Sequence, residues 1–325
     1  MSDDRFSIDV HLPPDHRRAA MAADAEAGLT ATPKTLPPVW FYDERGSVLF
    51  DEITRLPEYY PTRAERSILA TYADEIVELA SAPVLVELGS GTSDKTRLLL
   101  DAMAAAGRLH GFVPFDVSEE TLRQAAAAIT DTYDIPVHAI VGDFHRHLGT
   151  IPRGERRIVA FLGSTIGNLD PAQRRRFYFD LDTALDYDDW LLLGTDLVKD
   201  EARLVAAYDD AAGVTAEFNR NVLGVLNREL GAHFDLETFA HVARWNRDDR
   251  WIEMRLRSRA EQLVAIDDLA LKVSFTEGEE VLTEIAAKFT LEQVREELWE
   301  SGFVVERSWT DVDGDFLLTL AHPYC

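Results

Sequence analysis

The chain has 325 residues, 46% hydrophobic and 10% aromatic, enough to bury one large or two ordinary cores and too apolar for a disordered polymer. Its 58 acidic against 33 basic residues give a formal charge of −25, a field that repels phosphate backbones and excludes DNA and RNA as expected partners. The single cysteine, Cys325, excludes an internal disulfide and a thiolate metal cluster and fits a reducing cytoplasm; with no signal peptide at the start and no run of about 20 apolar residues, a cytoplasmic protein without membrane contact is expected.

Residues 1–20 are mixed and polar and read as a loosely held lead. An alanine-rich helix over 20–28 stops at Gly28, and residues 30–38, with three prolines, form an extended arm. Trp40, Phe41, Tyr42, Phe50, Tyr59 and Tyr60 then crowd a turn-rich stretch that is hard to explain as helix core. Such a stretch suits an arm packed on a domain, or a pocket wall, since ligand pockets favour aromatic rings with a few polar tips.

From residue 63 helices and strands alternate. A helix over 63–80 leads to a strand at 84–88 and a helix over 95–106. A strand over 112–117 and a helix capped by Ser118 follow, then strands at 137–144, 157–162 and 190–195. Alternation of this kind implies a parallel sheet with ligands at the carboxyl ends of its strands. At the first strand end stands Glu87-Leu88-Gly89-Ser90-Gly91-Thr92, a glycine turn that brings bare backbone close to a ligand. Asp94 occupies the place of the third glycine that a dinucleotide fingerprint requires, which argues against a dehydrogenase. An acidic mouth with two glycines suits a cation, and E-x-G-x-G resembles the S-adenosylmethionine loop of class I methyltransferases.

Asp116, Asp143 and Asn168 fall after the second, third and fourth strands. A carboxylate such as Asp116 accepts ribose hydroxyls, and Asp143 with the Phe144 ring can hold an adenine. His145 and His147 lie beside Asp143 but lack further metal ligands nearby, so they read as solvated loop residues and no metal is expected. Asp209-Asp210 recur at a helix start, where acidic residues complement the dipole.

Residues 200–230 read as two helices. Strand-like runs follow at 241–245, 251–266 and 269–288, the last interrupted at Gly278; Asn246-Arg247-Asp248-Asp249 makes a hairpin turn between the first two. Helical pairs and antiparallel hairpins are foreign to a doubly wound sheet. The expected division is an arm over 1–62 that contributes to a substrate domain, a class I (Rossmann-like) α/β domain over 63–198, an inserted, smaller α+β substrate-binding domain over 199–286, and the end of the α/β domain over 287–325.

Five longer runs carry a closer resemblance: residues 56–63, 87–92, 161–168, 194–199 and 208–215. Across roughly residues 25 to 320 the chain resembles the histidine-specific, S-adenosylmethionine-dependent N-methyltransferases of ergothioneine biosynthesis. That family trimethylates the α-amine of L-histidine to hercynine, with the amino acid held between a class I domain and a second domain. The resemblance implies S-adenosylmethionine contacts from Gly89, Lys95, Asp116, Asp143 and Phe144. It implies that Tyr59, Asn168 and Tyr208 hold the amino and carboxylate groups, that Tyr42, Phe50 and Gly163 surround the reacting amine, and that Met254 and Glu284 meet the imidazole.

Residue chemistry agrees: tyrosine and asparagine donate to a carboxylate, and an aromatic face holds a quaternary ammonium. One departure stands out. Where the family usually has serine two residues after the glutamate, this chain has Ala286, which makes no side-chain hydrogen bond. Histidine preference then falls more heavily on Glu284, and tryptophan becomes a rival substrate. A non-catalytic cofactor-binding regulator would have no use for Tyr59, Asn168 and Tyr208 together. A monomer is expected.

Overall fold

The computed structural model describes residues 6–12, 16–91, 93 and 95–324; Thr92, Asp94 and Cys325 lie outside the described residues, as does the extreme N-terminus. In chain order the elements are β1 (Phe6–Val10), α1 (His16–Thr30), β2 (Lys34–Thr35), α2 (Glu44–Thr54), α3 (Pro61–Ala80), β3 (Val84–Leu88), α4 (Arg97–Ala105) and β4 (Gly111–Asp116). Next come α5 (Glu119–Tyr133), β5 (Val137–Val141), β6 (Arg157–Phe161), α6 (Pro171–Ala184), β7 (Trp190–Asp196), α7 (Glu201–Tyr208) and α8 (Val214–Leu230). The chain continues through β8 (Phe239–Asn246), β9 (Trp251–Ser258), β10 (Gln262–Ile266), β11 (Leu271–Phe275) and β12 (Glu280–Ala287), and closes with α9 (Leu291–Glu300), β13 (Phe303–Thr310) and β14 (Phe316–Pro323). They divide into two compact units, one of β1, residues 61–197 and 289–324, the other of residues 16–60 and 198–288.

The first unit is built on an eight-stranded sheet of order β1-β5-β4-β3-β6-β7-β14-β13. The strands from β1 to β7 are parallel, and at one end β14 runs against them between β7 and β13, pairing antiparallel with both. Leu85, Val86 and Leu88 of β3 are buried, the near-continuous apolar run of a strand covered on both faces. The chain winds outward from β3 through β4 to β5 on one side and through β6 to β7 on the other, so the topological switch lies between β3 and β6.

Two expectations fail in this unit. The N-terminal lead is partly a strand: β1 pairs in parallel with β5, Phe6 opposite Val137, and Phe6 and Ile8 pack on the core. Its alternation over five residues was masked by the polar residues around it. Helix α6 was not expected at all, because Arg174, Arg175 and Arg176 hide its apolar face of Phe177, Tyr178 and Leu181. Arg174 is buried and makes a two-pronged bond to Glu297 at 2.9 and 2.8 Å.

The second unit carries a four-stranded sheet of order β2-β12-β9-β8, a β10–β11 ribbon, and helices α1, α2, α7 and α8. Its core includes Phe41, Leu49, Phe218, Leu226, Phe239 and Phe275. The turn after Asn246 joins β8 to β9 as expected, with Asn246 opposite Trp251. The run 251–266 is not one strand: it breaks at Ser258, whose hydroxyl donates to the Ala260 carbonyl, and β10 leaves for a separate ribbon. Gly28 does not end its helix; α1 runs through it to Thr30, and a Cβ there would lie 2.2 Å from the Thr35 carbonyl oxygen, so glycine serves close approach. The aromatic stretch is likewise more helical than expected, since Phe50 lies on α2, capped by the Asp43 side chain. No helix among the described residues is long and apolar enough to cross a membrane.

Candidate active site

In the first unit the expected residues stand at consecutive strand ends. After β3, Gly89 and Gly91 adopt φ of 67° and 48°, and nothing lies within 4 Å of where a Cβ would stand on either, leaving backbone open to a ligand. After β4, Asp116 accepts from the Gly91 N–H at 3.0 Å through one oxygen and from the Ser118 N–H at 3.0 Å through the other. The carboxylate is thereby tied to the glycine turn. Glu87, at the end of β3, accepts from the Thr96 hydroxyl. Burial pushes its carboxyl up to about 7, against the pull of Thr96 and of the Lys95 charge.

After β5, Asp143 accepts from the His145 N–H at 2.8 Å, while its own N–H donates to His147 Nδ1 at 3.0 Å. His147 is thus a structural partner of the turn, half-buried and stacked on His11, and not the solvated residue expected. Phe144 is half-buried, edge-on to Phe161 at 5.3 Å and Phe177 at 5.8 Å, so its orientation is set from behind.

After β6, Gly163 has φ of 75° and donates its N–H to both oxygens of Glu65, at 2.8 and 3.0 Å. Lys95 forms an ion pair with the same carboxylate. Glu65 is fully buried in the first turns of α3 and joins the loops after β3 and β6. Glu65 was not among the residues expected at the site. The signal was Gly194 of β7, where a Cβ would stand 2.2 Å from Glu65 Oε1, so only glycine admits the carboxylate. Asn168 closes the short 3-10 turn over 165–168 and is half-buried.

The second unit gathers the remaining candidates. Tyr42 meets Phe50 edge-on at 5.6 Å, Phe50 meets Tyr59 at 6.3 Å, and Tyr59 meets Tyr208 at 6.2 Å, a continuous chain of rings. Phe218 of α8, also unforeseen, packs against both Tyr42 and Phe50 at 5.6 and 6.0 Å. Tyr208 ends α7, and its hydroxyl accepts from Lys288 Nζ at 2.8 Å. Asp210 caps α8 by accepting from the Val214 and Thr215 N–H groups; burial works against its ionisation, but these bonds hold its carboxyl below the usual range.

Met254 and Glu284 stand directly opposite each other on β9 and β12, beside a register shift between Leu282 and Glu284. Opposed residues of an antiparallel pair share a face, so the two side chains belong to one surface. Desolvation raises the Glu284 carboxyl to about 7, with the Lys288 charge pulling it down. Ala286 is buried opposite Ile252. Behind them, the Thr283 hydroxyl lies 2.7 Å from Asn219 Oδ1, the Asn219 amide 2.8 Å from His241 Nδ1, and His241 Nε2 2.8 Å from the Tyr208 carbonyl. Burial lowers the His241 pKa, and a neutral ring with its proton on Nε2 satisfies both contacts.

The family described as histidine-specific, SAM-dependent methyltransferase matches residues 21–323. A histidine N-alpha-methyltransferase of Mycolicibacterium smegmatis is 58% identical over 97% of this chain and 99% of its own length. The corresponding protein of Mycobacterium tuberculosis is 54% identical over 98% and 99%. The chain belongs to this family. A further relative is ergothioneine biosynthesis protein 1 of Neurospora crassa, 32% identical over 67% of this chain but 26% of that longer protein. As a member of this family the protein uses S-adenosylmethionine. Its glycine turn with open backbone and its Asp116 carboxylate are a donor and acceptor set suited to that cofactor's nucleoside and amino-acid ends.

Proposed function

We propose that the protein transfers three methyl groups in succession from S-adenosylmethionine to the α-nitrogen of L-histidine, yielding hercynine, a step of ergothioneine biosynthesis. The observation that carries the histidine assignment is the Met254–Glu284 pair, a thioether and a carboxylate on one face of the second unit's sheet. It offers an acceptor for an imidazole N–H beside an apolar, polarisable contact. The names of the mycobacterial and fungal relatives support the α-nitrogen and the pathway.

When bound, the cofactor supplies an electrophilic methyl group on a sulfonium. Asp116 accepts the ribose hydroxyls, Asp143 the adenine amine, and Phe144 covers a face of the base; Gly89 lets the backbone approach and Lys95 completes the set. Tyr59, Tyr208 and Asn168 orient the amino acid through its amino and carboxylate groups. Tyr42 and Phe50, with Gly163, surround the nitrogen, and the aromatic faces stabilise the cation that grows there. The nitrogen gives up one proton before each transfer, three in all, which pass to bulk solvent; displacement at carbon then moves positive charge from sulfur to nitrogen, so these residues act chiefly by alignment and exclusion of water.

Mass spectrometry of purified protein with S-adenosylmethionine and each of the twenty amino acids tests the assignment. Histidine should accumulate three methyl groups on its α-nitrogen with three equivalents of S-adenosylhomocysteine formed. A ring-methylated product, arrest at one methyl, or faster turnover of tryptophan would overturn it.

A further inference from the structure

We propose that Lys288 is a positioning residue for the amino acid's carboxylate: it fixes the direction of the Tyr208 hydroxyl and strengthens that hydroxyl as a donor. The proposal rests on the assignment of Tyr208 and Glu284 to the amino acid made above.

Lys288 follows β12 directly and is 1% exposed, and its backbone N–H donates to the Arg250 carbonyl at 2.8 Å, which pins the residue beside the start of β9. A buried ammonium is costly unless other groups meet its charge. Here Nζ donates to the Tyr208 oxygen at 2.8 Å and lies 4.6 Å from the centre of its ring, and its charge acts on Glu284.

The consequence for Tyr208 follows from the inventory of a phenol, which has one proton and two lone pairs, while an ammonium only donates. Lys288 must occupy a lone pair, so the phenol proton points away from it. A charge-assisted bond to the oxygen also polarises the O–H. The rest of the tyrosine is held by other means: His241 Nε2 bonds its carbonyl, and the Tyr59 ring packs on its ring. Lys288 adds a restraint at the hydroxyl itself.

Calorimetric titration of L-histidine into the full-length protein with bound S-adenosylhomocysteine tests the proposal on four variants: Lys288→Met, Lys288→Arg, Tyr208→Phe and the Met/Phe double variant. Lys288→Met should weaken histidine binding by about tenfold or more, as expected for a lost charge-assisted bond, and leave S-adenosylhomocysteine affinity within about twofold. In turnover, KM for histidine should rise more than kcat falls, and Lys288→Arg should restore part of the loss. Because Lys288 acts through the hydroxyl, the double variant should bind about as well as Tyr208→Phe alone. Losses that multiply in the double variant, or a parallel loss of S-adenosylhomocysteine binding, would show a merely structural lysine and overturn the proposal. Normal binding by Lys288→Met with weakened binding by Tyr208→Phe overturns it alone. Normal binding by Tyr208→Phe removes the tyrosine assignment and the proposal with it. Should the Met variant not fold, Lys288→Gln is read in the same way.

Discussion

Asp116 and Glu284 show how surroundings set one chemical group, the carboxylate, in two different states. Asp116 is half-buried and accepts two backbone N–H groups, so its carboxylate is held in place. Asp116→Ala should weaken S-adenosylhomocysteine binding by about 1.5–3 kcal/mol, the worth of a hydrogen bond to a charged acceptor, and calorimetry that finds no change would remove it from the site. Glu284 is instead desolvated, its carboxyl raised to about 7 with Lys288 opposing. The folded protein holds that proton more tightly than the unfolded chain does. The stability it contributes is therefore complete below the ordinary carboxyl range and is lost as pH rises through about 7. Compared with Glu284→Gln, the ligand-free wild type should lose up to about 3 kcal/mol between roughly pH 5 and pH 8. Urea midpoints at the two pH values check this, and equal changes in both proteins would mean a solvated carboxyl. Ala286 offers nothing polar, and the Thr283 hydroxyl is engaged with Asn219 and the Met254 carbonyl. Ala286→Ser should strengthen histidine binding by about 0.5–1.5 kcal/mol in competition with tryptophan; a weaker binder would show that no ring nitrogen reaches this position.

Among the elements, α3 has the most consequential contacts, because Glu65 carries a negative charge from it to two strand-end loops. Replacing it by alanine would leave the Lys95 ammonium without this partner and the Gly163 N–H without its acceptor. Removing one partner of a fully buried ion pair costs about 3–5 kcal/mol, and the loss here falls below that because the Lys95 side chain is partly exposed. Glu65→Ala should therefore lower the denaturation midpoint and weaken S-adenosylhomocysteine binding together, while Glu65→Gln, which still accepts from Gly163, keeps part of both. A stability loss with cofactor affinity intact would confine Glu65 to packing. In the second unit the comparable tie is the line from Thr283 through Asn219 and His241 to the Tyr208 carbonyl, which links β12, α8 and β8 to the end of α7. It explains why an asparagine and a histidine are buried in an apolar core: each polar group finds a partner.

For the whole molecule, a formal charge of −25 sets a self-repulsion that ions screen. The thermal midpoint should rise when salt increases from about 10 to about 150 mM, over which the Debye length falls from roughly 30 to 8 Å. A midpoint that falls would mean that surface ion pairs such as Arg257–Glu280 outweigh the repulsion.

The sequence by itself determined the class of sheet, the glycine turn, the order of strand-end residues and, through its long family-like runs, the cofactor. These are local properties: Glu87-Leu88-Gly89-Ser90-Gly91 needs only a buried strand and positive φ to do its work, and period and punctuation report both. Only the tertiary structure decided that Glu65 gathers Lys95 and Gly163, that Met254 faces Glu284 across a register shift, and that Lys288 bonds Tyr208. Partners 98, 30 and 80 positions apart leave no periodic trace. β1 and α6 escaped for a related reason: five residues at a sheet edge and a helix studded with arginines become apolar only once the sheet supplies the surface they cover.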